Sequence, residues 1–73
     1  MKNKITVTIL SDLKYENLLA EILIDGQFIG LVTNEPEQPI SFEIPEGELK
    51  SLSLDLATFQ EALSMAKKEL LQE

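Results

Sequence analysis

The chain has 73 residues, 44% hydrophobic and 26% charged, a profile of one globular domain spanning residues 1–73 rather than a disordered segment. It contains no cysteine and no histidine, so disulfides, thiol or imidazole catalysis and the usual zinc ligands are excluded. Thirteen acids against six basic residues give a net charge of −7, which argues against nucleic acids and anionic membranes, since both are recognised by clustered Lys and Arg. A chain this short buries only about 60% of the surface its unfolded form exposes. With no disulfide and no histidine-based metal site, stability must come from an unusually good core or from self-association.

Ile5-Thr6-Val7-Thr8-Ile9-Leu10 alternates with period two and is rich in β-branched residues, so it reads as a first strand. It is too short and too polar for the apolar core of a signal peptide, and no run reaches the roughly 18 apolar residues of a membrane span. A cytoplasmic location is therefore expected. Ser11 to Asn17 is polar and reads as a connection.

Two apolar runs, Leu18–Ile24 and Gln27–Thr33, flank Asp25-Gly26. Asp-Gly in this setting is a strong hairpin signal, because a type I′ turn needs positive φ at both central residues. The turn sets an expected register: Ile24 opposite Gln27, Leu23 opposite Phe28, Ile22 opposite Ile29, Glu21 opposite Gly30, Ala20 opposite Leu31 and Leu19 opposite Val32. One face of the hairpin then carries Leu18, Ala20, Ile22, Ile24, Ile29 and Leu31. The other carries Leu19, Leu23, Phe28 and Val32, interrupted by Glu21 and Gly30.

Asn34 to Pro39, with two prolines, is a loop. Ile40-Ser41-Phe42-Glu43-Ile44 alternates again as a fourth strand, and Pro45-Glu46-Gly47 is a turn. Lys50 to Leu54 is a candidate short fifth strand. Asp55 is a fitting N-cap, and Leu56, Phe59, Leu63, Ala66 and Leu70 form one apolar stripe on a helix expected over Leu56–Leu71. Gln60, Glu61, Ser64, Lys67 and Lys68 take its opposite side. The expected fold is α+β: an antiparallel meander of four to five strands in order 1-2-3-4, with the C-terminal helix packed on one face.

Catalytic chemistry has little to work with. No base is available to activate Ser11, Ser41, Ser51, Ser53 or Ser64, and the two glycines of Asp25–Gly30 belong to a hairpin rather than a phosphate cradle. No calcium-loop pattern occurs. Glu21 is the one acid inside a strongly apolar strand and the best candidate for a raised pKa. Alone it makes no acid–base site, and a place at an interface rim or in solvent explains it better. Tyr15, the single tyrosine, suits either an interface anchor or loop packing. The chain is thus read as having no catalytic, cofactor or metal residues.

The run L-A-E-I-L-I-D-G-Q-F-I-G-L-V at 19–32, the acidic Pro-containing loop after it and the closing L-A-T-F-Q-E-A-L at 56–63 resemble small uncharacterised bacterial proteins of meander-plus-helix type, some of them immunity-protein-like. The resemblance implies a protein-binding role and carries over no individual residue.

Two surfaces are therefore expected to bind. One helix, about 10 Å wide, cannot cover both faces of a four-stranded sheet. Leu19, Leu23, Phe28 and Val32 are then a self-association face for a homodimer, unless the sheet curls or the Tyr15 loop folds over them. Glu35, Glu37, Glu46 and Glu48 lie in a stretch with no lysine and form an acidic edge suited to a basic protein partner, or simply a solvated surface. The alternative is a small-molecule-binding or regulatory domain, with the ligand between sheet and helix.

Overall fold

A computed structural model describes residues 3–47 and 52–73. Four antiparallel strands, β1 (Ile5–Leu10), β2 (Leu19–Ile24), β3 (Gln27–Thr33) and β4 (Ser41–Glu43), form one sheet in the order β1-β2-β3-β4, and α1 (Leu56–Leu71) packs on one face. The molecule is 18 Å thick in its shortest dimension, as expected for one sheet layer and one helix layer. The α+β meander-plus-helix fold is therefore the one read from the sequence. Lys50 and Ser51 of the candidate fifth strand lie outside the described residues, and Leu52–Leu54 is not a strand.

The tight turn forms as its residues dictate, with φ of 52° at Asp25 and 81° at Gly26. It also ties the hairpin to the start of β1. The Asp25 amide donates to the Lys4 carbonyl, and the Asp25 carboxylate accepts from the Lys4 amide, each at 2.8 Å.

Beyond the turn the register differs from expectation. Leu23 pairs with Phe28, but Ile22 pairs with Gly30, Glu21 with Leu31, Ala20 with Val32 and Leu19 with Thr33. Ile29 is an extra residue, the mark of a β-bulge. A one-residue slip moves every later side chain to the other face. Val32 consequently joins Ala20, Ile22, Ile24 and Ile29 in the core beneath the helix, while Leu31 faces outward with Leu19. Leu18, placed with the core residues by the expected register, is exposed.

The helix seats small residues against the sheet. Ala62 and Ala66 are fully buried, with Phe59, Leu63 and Leu70 packed beside them. Leu56, expected in the stripe, is exposed. At 3.6 residues per turn it lies about 100° around from the Ala62–Ala66 line. The Asp55 carboxylate caps the helix, accepting from the Thr58 amide at 3.0 Å. The helix lies over β1, β2 and part of β3. It meets β4 through the Phe42 ring, edge-on to Phe59 at 5.4 Å between centroids.

Candidate functional site

The outer face of the sheet, opposite the helix, carries Thr6, Thr8 and Leu10 from β1, Leu19, Glu21 and Leu23 from β2, Phe28, Leu31 and Thr33 from β3, and Ser41 and Glu43 from β4. One half of it is closed by the connection between β1 and β2. This loop crosses the sheet, and the Tyr15 hydroxyl donates to Oε1 of Glu43 on the far strand. The Glu35 carboxylate takes two backbone amides of the same loop, Glu16 at 2.8 Å and Asn17 at 2.9 Å. The Asn17 side-chain amide donates to the Asn34 carbonyl. Leu19, Leu31 and Thr33 are buried beneath this cover.

The cover also sets the electrostatics of Tyr15. Its phenol is pushed up to about 12, chiefly because the O–H is donated to Glu43. Desolvation adds to this, and the carboxylates of Glu43, Asp12 and Glu35 oppose a further negative charge.

The other half of the outer face stays open. A cleft of about 410 Å³ lies there, lined by Lys14 from the loop, Glu21 and Phe28 from the hairpin, and Pro45 and Glu46 from the turn after β4. An aromatic ring and two carboxylates, set against one lysine, suit a long side chain with an apolar stem and a cationic head. Stem and head would meet ring and carboxylates respectively.

A second surface runs along the edge where β4 meets the helix. Val32, Ile40, Ser41, Phe42, Leu63 and Lys67 line a groove of about 190 Å³. Inward of it, Ala20, Ile22, Ala62 and Ala66 are fully buried between sheet and helix. Among the described residues no group of three or more acidic side chains is arranged to hold a metal ion, and no helix is long and apolar enough to cross a membrane.

The expected self-association face is not assembled as one surface. Leu23 and Phe28 sit together and half-buried on the open outer face, Leu19 is buried under the loop, and Val32 lies in the core on the opposite side. The bulge at Ile29 and the Tyr15 loop are the two causes. Of the acidic edge, Glu35 spends its carboxylate on loop amides, Glu37 is exposed at a left-handed φ of 61°, Glu46 lines the cleft, and Glu48 lies outside the described residues. Glu21 stands beside Leu31 rather than Gly30, at the cleft wall. Sequence reasoning missed Lys14 and Pro45 as cleft residues; both come from connections that tertiary packing alone brings over the sheet.

Comparison of the chain with protein-family models, curated proteins and solved structures finds no match.

Proposed function

We propose that this chain is a non-enzymatic protein-interaction domain that self-associates and binds a basic protein partner. The observation that carries the reading is the cleft on the open half of the outer face, where Phe28 shares the lining with two carboxylates, Glu21 and Glu46, against the single cation Lys14. A lysine or arginine of a partner would lay its aliphatic stem on the ring and its charge between the carboxylates. The chain's net charge of −7 would speed the encounter. The immunity-like resemblance implies the same kind of role.

The test is an amide-shift titration of the labelled protein with a hexa-arginine peptide at 20 and 200 mM salt. Shifts concentrated at Glu21, Phe28 and Glu46, weaker at high salt and reduced in Glu21→Gln/Glu46→Gln, support the reading. Shifts scattered over all acidic surfaces, or unchanged in the double variant, reject it.

A further inference from the structure

The segment Pro39-Ile40-Ser41-Phe42-Glu43-Ile44-Pro45 is nearly palindromic about Phe42. It contains β4, the last strand of the sheet, and among the described residues nothing pairs with the outer edge of that strand. The helix covers it only in part, through Phe59 against the Phe42 ring. On the helix side Ile40, Phe42 and Ile44 remain 38%, 37% and 42% exposed, with Ile44 placed there by period-two alternation.

We propose that β4 pairs antiparallel with β4 of a second copy about a two-fold axis at Phe42, joining two four-stranded sheets into one of eight. This deepens the self-association part of the reading above and rests on it. It uses a different face from the cleft and shares with it only Pro45.

In this register Ile40 stands opposite the second copy's Ile44, Phe42 opposite Phe42 and Ile44 opposite Ile40, so all three apolar side chains meet apolar neighbours. On the other side Ser41 faces Glu43, and no carboxylate opposes another. Sliding the pairing by two residues toward the C-terminus puts Glu43 against Glu43, which like-charge repulsion disfavours. Pro39 and Pro45 close both ends of the ladder, since neither can donate, and this limits pairing to a short bounded seam. An isologous contact of this kind uses the same edge on both copies and closes on itself.

The area sets the size class of the contact. Side chains exposed by 38%, 37% and 42% supply about 200 Å² per copy. Backbone edge, Leu63 and the Lys67 stem add to this, but the total stays under the roughly 800 Å² per partner of a standard interface. The dimer therefore belongs to the weak, transient class. Each copy also carries −7, so salt strengthens it by screening repulsion, whereas salt weakens a basic partner at the cleft.

Sedimentation equilibrium from 20 µM to 2 mM, at 50 and 500 mM salt, tests the seam. The unmodified chain is expected to dimerise in proportion to concentration and more strongly at high salt. Ile44→Glu or Ile40→Lys alone each sets one charge against an isoleucine and weakens the dimer about tenfold. In the double variant the two introduced charges face each other across the axis, and dimerisation returns to within about threefold of the original. Both substituted positions are partly exposed, and unchanged circular dichroism confirms folding. A chain that is monomeric throughout overturns the seam together with self-association, leaving the cleft reading standing. A dimer indifferent to the single variants, or one the double variant does not restore, overturns the seam alone.

Discussion

The hydroxyl of Tyr15, in the loop that follows the first strand, donates its hydrogen to the carboxylate of Glu43 on the opposite edge strand. This contact spans the sheet and pins the cover over Leu19 and Leu31. It also makes the single tyrosine of the chain a reporter of its own fold.

The phenol, raised to about 12 in the folded state, should titrate near 10 once unfolded. Between those values the folded state holds a proton that the unfolded state has released, so the contribution to stability is full below pH 10 and is lost as pH rises toward 12. With no tryptophan present, phenolate absorbance reads this one group directly. The folded midpoint is expected near 12, and Glu43→Gln should lower it, because both the acceptor's charge and the nearest carboxylate are removed. A midpoint of 10 in the folded protein would show that the loop does not cross the sheet.

Glu35 holds the same loop by two backbone amides. Hydrogen bonds to a charged acceptor are stronger than neutral ones, but solvent at this surface takes part of the gain. Glu35→Ala should cost about 1 kcal/mol and, more specifically, remove hydrogen-exchange protection at Glu16 and Asn17. Protection that survives would mean the carboxylate does not organise the loop.

The strands, the Asp25-Gly26 turn and the bounds of the helix were legible because each is written in local periodicity or in the φ demanded of one or two residues. The bulge was missed, although Gly30 inside an apolar run is the kind of break that marks one. Missing it misplaced Val32 and Leu31 by one face each. The Tyr15–Glu43 and Glu35 contacts join residues 28, 19 and 18 positions apart, and no pattern in the chain announces them. The symmetry about Phe42 is readable in the sequence, yet it acquires meaning only with β4 at the end of the sheet formed by the described residues.

At the turn, Gly26 holds φ of 81°, a conformation that costs a residue with Cβ about 1 kcal/mol. A Cβ at this position would meet no atom within 4 Å, so Gly26→Ala isolates the backbone strain. Thermal or denaturant unfolding should show a loss of about 1–2 kcal/mol. Asp25→Ala should lose at least as much, since it removes the bond to the Lys4 amide as well.

Gly30 is needed for space rather than for φ. A Cβ placed on it would lie 2.5 Å from Cζ of Phe42 and 2.9 Å from the Glu43 carbonyl oxygen. The ring of Phe42 therefore rests directly on the backbone of β3, and that is how it reaches Phe59 on the helix while sitting on an edge strand. Gly30→Ala forces the ring or β4 away and should cost about 1–3 kcal/mol, the usual range for overpacking. If the clash is with the ring, trimming the ring relieves it. Phe42→Leu removes favourable contacts by itself, but in the double variant Gly30→Ala/Phe42→Leu the two losses should sum to less than the separate values by about 1 kcal/mol. Strict additivity would instead place the clash at the Glu43 carbonyl, with β4 itself displaced from β3, and amide exchange at Ser41–Glu43 would then rise in Gly30→Ala whatever residue stands at 42.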